Sequence, residues 1–225
     1  MATTTANPST NAAGDMEKGH MNGYDNARIT RKSFIGNPAP LGLFSFSATT
    51  FLLSLYNVNT RDVAAPNAVV GMGLFVGGLA QILAGMWEYP RGNTFGATAF
   101  TSYGAFWMSF AAVLIPGAGV REAFQTEKDY NNAVGLYLVI WFIFTSLLVP
   151  PVIRRNISLV ILFATLALTF LLVGIGLMTG SAGSRKAGGA FGIISGVTAY
   201  YVGFSDLMSA EKSAFMRVPT GALSD

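Results

Sequence analysis

The chain reads as an all-α polytopic membrane protein with six transmembrane helices. Three observations predict this. Hydrophobic residues make up 52% of the 225 residues and charged residues only 11%, whereas soluble domains carry about 25% charged residues. The mean hydropathy is +0.48. The charges are also clustered, and between the clusters lie six apolar runs of about 20 residues, the length that crosses a hydrocarbon core of roughly 30 Å. These runs are continuous rather than alternating, which excludes a membrane β-barrel.

Residues 1–33 are rich in Thr, Asn, Gly and charges and hold no apolar segment of the signal-peptide kind. They are expected to form a disordered cytosolic tail, with Thr3, Thr4, Thr5 and Ser9 as candidates for modification. A transport domain over 34–210 and a short cytosolic tail over 211–225 follow. The first run spans Leu41 to Val58, after an Asn37-Pro38 start signal. The second covers Pro66 to Tyr89. The third runs from Gly96 to Ile115 and stops at Pro116-Gly117. A polar segment with Arg121, Glu122, Glu127, Lys128 and Asp129 precedes the fourth, Asn132 to Val152, which ends on Pro150-Pro151 and Arg154-Arg155. The fifth is Ile157 to Met178. A linker over Gly180 to Lys186 leads into the sixth, Ala187 to Met208.

Six spans place both termini on one side. With the termini inside, Arg91, Arg154, Arg155, Lys212 and Arg217 are cytoplasmic, while Arg61, Arg121, Lys128, Arg185 and Lys186 lie outside. The positive-inside rule favours that orientation through the Arg154-Arg155 turn, and Arg185-Lys186 opposes it. Gly188, Gly192, Gly196 and Gly203 form a small-residue stripe in the sixth run, and Gly71, Gly78 and Gly85 recur in the second. Such stripes bring helix backbones together, either within one protomer or between subunits.

Several chemistries are absent from the sequence. There is no cysteine and the single His20 sits in the polar tail, so nothing points to a metal site or cofactor. No glycine loop with a lysine suggests ATP use, and the net charge of +3 is spread over both sides of the membrane, so no nucleic-acid partner is expected. No enzyme activity is read here. What the spans do hold is neutral polar groups in register. Ser47, Thr50, Ser54 and Asn57 follow three- and four-residue spacing along one face of the first helix. That face either lines a wet path or bonds to another helix. Gln81 and Glu88 are seven residues apart in the second run, and Glu88 and Asp206 lie near helix ends. An ionisable group inside a membrane is a functional candidate, although near an end an interfacial charge is the alternative.

Residues 37–43 read NPAPLGL. With Gly77-Gly78-Leu79-Ala80-Gln81, the block Gly92-Asn93-Thr94-Phe95-Gly96, Thr98-Ala99-Phe100, Ser102-Tyr103-Gly104 with Phe106-Trp107, and Ala187-Gly188-Gly189, this resembles the acetate uptake transporter family over roughly residues 34 to 210. The long polar tail and the segment Gln125 to Asn131 resemble its fungal branch. The resemblance implies transport of acetate or another small monocarboxylate by a homo-oligomer, a hexamer in that family, in the plasma membrane. It also implies a narrow apolar ring of Phe, Tyr and Leu, carried onto Phe46, Tyr103 and Leu166, with Leu168 as the rival for the last position. These three fall about six, seven and nine residues into the odd-numbered runs, so they share a depth of roughly 9 to 14 Å. In that picture the Ser47/Thr50/Ser54/Asn57 face and Gln81 offer hydrogen bonds to a carboxyl group, and Asn37 caps the first helix at the vestibule. Glu88 either shuttles a proton or makes a structural contact near Arg91. A channel for ammonia or another small solute, and an acetic-acid sensor without flux, are the alternatives.

Overall fold

The structure, a computed structural model, describes residues 35–63 and 67–223; the amino-terminal tail and the first residue of the second run, Pro66, lie outside the described residues. Six helices are long and apolar enough to cross a membrane. They are α1 (Ala39–Asn57), α2 (Ala68–Glu88), α3 (Thr94–Leu114), α4 (Glu127–Leu148), α5 (Ile157–Thr179) and α6 (Ala182–Ala210). Helices are the natural solution because hydrocarbon offers no partner for free backbone groups. The first N–H groups of a helix have no partner inside it, and a side chain at the start can take one. Asn93, Thr126, Asn156 and Ser181 accept the N–H of Gly96, Asp129, Leu159 and Ser184 at the starts of α3 to α6. Asn37 Oδ1 accepts Ala39 N–H at 3.2 Å at the start of α1.

Two starts differ from the expected ones by more than two residues. α4 begins at Glu127 rather than Asn132, and α6 at Ala182 rather than Ala187. In both, the extra turn is polar, and the capping hydroxyl of Thr126 or Ser181 sets the boundary rather than the onset of apolar residues. Arg185 and Lys186 therefore belong to the beginning of α6, not to a linker. Within α2, Met72–Ala80 winds as a π-helix. Such segments are uncommon and shift the faces that follow. Gly71, before this stretch, has nothing within 4 Å, while Gly78 and Gly85 face α3 at Met108 and Thr101.

α1 packs against α2, α3 and α6; α5 lies between α4 and α6; α2 pairs with α3. The glycine stripe of α6 lies inside the protomer. Gly192 meets Ser54 and Gly196 meets Phe51 of α1, while Gly188 meets Val173 of α5. α3 and α4 join through aromatic contacts, with the Phe106 and Trp141 ring centroids 4.9 Å apart. The outward sides carry exposed apolar residues such as Phe75, Leu136, Ile140 and Leu147, the surface lipid requires. We call the end where α1, α3 and α5 begin the first face, and the opposite end the second face. At the first face, residues 218–223 return to α5. Ile157 N–H and Ser158 N–H donate to the Gly221 and Thr220 carbonyls, and Ser205 and Tyr201 of α6 donate to Val218 and Pro219.

Candidate functional site: two cavities and a narrow apolar level

Phe46 is the eighth residue of α1, and Tyr103 and Leu166 are each the tenth of their helices. At 1.5 Å per residue this sets all three about 10 to 14 Å from the first face. All are buried, at 4%, 2% and 2% exposure, whereas Leu168 is 38% exposed. Of the two leucines, Leu166 is the one that faces the bundle interior. The Phe46 and Tyr103 rings stand 5.7 Å apart, and Phe163, Trp141 and Phe144 surround Tyr103.

Two cavities meet this level from opposite ends. The larger, about 510 Å³, opens towards the second face between the ends of α1, α3 and α5 and the starts of α4 and α6. The smaller, about 210 Å³, opens towards the first face. Phe46 lines both; Leu166 lines only the larger and Tyr103 only the smaller. The two spaces are thus separated at Phe46.

The polar stripe of α1 divides between two tasks. Thr50, Ser54 and Asn57 line the larger cavity. Ser47 does not: its hydroxyl donates to the Gly196 carbonyl of α6 and closes a helix–helix contact. Gln81 lines the smaller cavity, fully buried, with neither amide atom paired to protein. Asn37 lines neither cavity; its side-chain oxygen holds Ala39 N–H and the Arg91 guanidinium. Glu88 also lines neither, and is 1% exposed with Oε1 unpaired. Asp206 does line the smaller cavity, within Coulombic reach of Glu88, Arg155 and Arg91.

Other contributors escape sequence reasoning. Tyr103 Oη donates to Thr145 Oγ1 at 2.9 Å, and both residues are buried. The phenol is therefore held in place rather than free to swing. Thr145→Val is expected to leave that hydroxyl unpaired and lower stability by about 1–3 kcal/mol. Adding Tyr103→Phe should recover most of the loss, read from melting in detergent. A double variant as unstable as the single one would show that the bond is not what Thr145 supplies. Arg155 and Asn156 line the smaller cavity, with the Arg155 guanidinium 5.9 Å over the Phe95 ring. Arg185 and Lys186 stand at the larger cavity, whose lining includes no Asp or Glu. The sequence marked these cations only as topology signals. Among the described residues no group of His, Cys, Asp and Glu is arranged to hold a metal.

Comparison with known proteins sets this arrangement in context. The chain is 42% identical over 191 residues to acetate permease A of Emericella nidulans, covering 80% of this chain and 64% of that one. It is 38% identical over 178 residues to the succinate-acetate/proton symporter SatP of Escherichia coli, covering 79% of this chain and 91% of that one. The structure of the bacterial acetate channel SatP matches with a TM-score of 0.74 at 36% identity, over 82% of this chain and 99% of that one. The chain spans 61% to 65% of the length of four fungal relatives that it matches at 42% to 45% identity. These relatives are named as a permease, a symporter and a channel, not as enzymes. The family model of the GPR1/FUN34/yaaH family matches residues 18–225, and the chain belongs to that family.

Proposed function

We propose that the protein carries acetate and similar small monocarboxylates across a membrane, through the two cavities and past the Phe46–Tyr103–Leu166 level. The observation that carries this reading is the pair of cavities opening to opposite faces and separated at one apolar ring. The names of the relatives supply the substrate class. Together with the basic residues at the first face, the reading extends to a plasma-membrane homo-oligomer with both termini cytoplasmic.

The apolar level sets the chemical form of the passenger. No Lys or Arg lines either cavity near Phe46; the cations sit at the outer ends. Protonating a carboxylic acid of pKa about 4.5 costs roughly 3.4 kcal/mol at pH 7. Stripping water from the carboxylate costs several kcal/mol even after relaxation. Passage as the acid, or together with a proton, is the cheaper route. Uptake at fixed acetate anion concentration is expected to rise as external pH falls, because each unit of pH raises the acid tenfold. Bulky and dianionic acids should pass poorly.

Labelled-acetate uptake into a transporter-deficient host, comparing wild type with Tyr103→Ala across external pH, tests the reading. Acid-stimulated uptake in wild type, altered in rate or selectivity by the substitution, supports it. Flat uptake from acid to neutral pH would sink the protonated route. No uptake above the empty host, with the protein at the surface, would favour a sensor or an ammonia path. Ammonia suits the same apolar ring, and competition between labelled acetate and ammonium separates the two. Deleting residues 1–30 should spare flux in a transporter and abolish the output of a sensor.

A further inference from the structure

Backbone that lies at the depth of lipid must find its hydrogen bonds within the protein. Residues 218–221 meet that condition. Their four successive carbonyls accept, in order, from Ser205 Oγ, Tyr201 Oη, Ser158 N–H and Ile157 N–H, and Pro219 has no N–H to satisfy. Their depth follows from α6. Ser205 and Tyr201 precede its last residue, Ala210, by five and nine residues, about 7 and 13 Å back along the axis. α6 is 29 residues long, or about 43 Å, so it overhangs a hydrocarbon core of roughly 30 Å. Beyond α6 the chain reverses in the turn Glu211 to Ala214, closed by Ala214 N–H to the Glu211 carbonyl at 3.3 Å. It then runs back beside α6 to Val218. Residues 215–217 are thereby held where hydrocarbon gives way to headgroups.

The side chains at that level are the wrong ones for water. Phe215 is 87% exposed, the most of any large apolar residue among the described residues, and Met216 is 45% exposed. Lys212 and Arg217, on either side of them in sequence, are exposed too. So is Arg154, next to the Arg155 carbonyl that takes Leu223 N–H. Among the described residues 211–223 the one acid is Glu211. We propose that residues 212–217 form an interfacial anchor for anionic phospholipid in the first-face leaflet. Phe215 and Met216 enter the boundary of the acyl chains, where apolar surface leaves water. Lys212, Arg217 and Arg154 hold headgroup phosphates, to which a guanidinium offers paired donors. Cations flanking an apolar pair match a surface that is apolar below and anionic above, and α6 already brings the segment to it. With the termini inside, this is the leaflet that carries the anionic lipid. Val218 follows Arg217 directly, so lipid capture and the docking of 218–223 on α5 reinforce each other. The anchor does not depend on what the path carries.

The chain has no cysteine, so one introduced thiol carries a nitroxide label alone. Met216→Cys keeps Phe215 and, once labelled, still presents an apolar side chain. Ser213→Cys, in the turn, is the aqueous reference. The full chain is placed in phosphatidylcholine nanodiscs with and without phosphatidylserine, and depth is read from relaxation by lipid-soluble oxygen and a water-soluble nickel chelate. With phosphatidylserine present, the label at 216 should meet oxygen and escape nickel, and the label at 213 should do the reverse. Lys212→Gln with Arg217→Gln should move the bound-to-free ratio of the label at 216 about 25-fold towards free, each basic residue near an anionic surface contributing about fivefold. Phe215→Ser should raise its nickel contact as well. Nickel reaching 216 as readily as 213 would place the segment in water and overturn the anchor. Shielding of 216 from both relaxants would put protein over it, a second copy included, and overturn it equally. The same depth in both kinds of nanodisc would remove anionic lipid as the partner. Phe215→Cys, whose label is itself apolar, gives the same reading if Met216→Cys does not yield a monodisperse protein.

Discussion

Phe46→Ala is expected to join the two cavities and abolish size selection. Phe46 is the side chain that lines both spaces, and its ring lies tilted beside that of Tyr103, with centroids 5.7 Å apart. Cutting it back to a methyl leaves Tyr103 and Leu166 attached to different cavities with no aromatic wall between them. Longer and branched monocarboxylates, which the wild type is expected to pass poorly, should then be taken up at rates comparable with acetate. Removing a buried phenylalanine also costs about 3–5 kcal/mol in a close-packed interior, so Phe46→Leu serves as the milder companion. It should widen selection less and fold better. Uptake of labelled acetate and butyrate by all three proteins, corrected for surface amount, makes the comparison. Unchanged exclusion of butyrate in a folded Phe46→Ala protein would move the narrow point away from this residue.

The second large effect lies in assembly of the bundle rather than in the path. Gly104 sits where α3 crosses α2, and a Cβ there would lie 2.9 Å from the Gly78 carbonyl oxygen and 2.9 Å from Ile82 N. Both are backbone atoms, so no side chain can rotate to make room. Membrane helices have no hydrophobic drive towards one another and associate through close packing and hydrogen bonds. Gly104→Ala is expected to lower stability by about 1–3 kcal/mol through overpacking. Gly104→Val should exceed that and leave little protein in the monodisperse peak of a detergent gel filtration. Gly117→Ala, at a glycine with nothing within 4 Å, is the matched control. Equal behaviour of Gly104→Val and Gly117→Ala would mean that α2 and α3 can separate at no cost.

The six helices are legible because length and apolar content are written locally. Boundaries are legible only where apolar content changes. The starts of α4 and α6 lie five residues upstream of the starts expected from apolar content (127 against 132, 182 against 187), because a capping hydroxyl tolerates a polar first turn. Periodicity likewise places Ser47, Thr50, Ser54 and Asn57 on one side of α1. Which neighbour covers that side is a tertiary fact: α6 reaches Ser47 through the Gly196 carbonyl and leaves the other three to the cavity. Thr145 carried a faint signal as a hydroxyl among the aromatic residues of α4, but its bond to Tyr103 spans 42 positions. The common level of Phe46, Tyr103 and Leu166 was accessible by counting rises along three helices that run in one direction.

The return of residues 218–223 to the start of α5 also has a meaning for how the protein is made. Arg155 and Asn156 of the first-face cavity sit on backbone that these residues hold, through Leu223 N–H to the Arg155 carbonyl and the antiparallel bridge of Asn156 to Ala222. Residue 218 lies only eight positions beyond Ala210, the end of α6, so this stretch is made directly after the last helix. A protomer whose six helices are in place but whose residues 218–223 are not yet docked has a cavity mouth that is not braced.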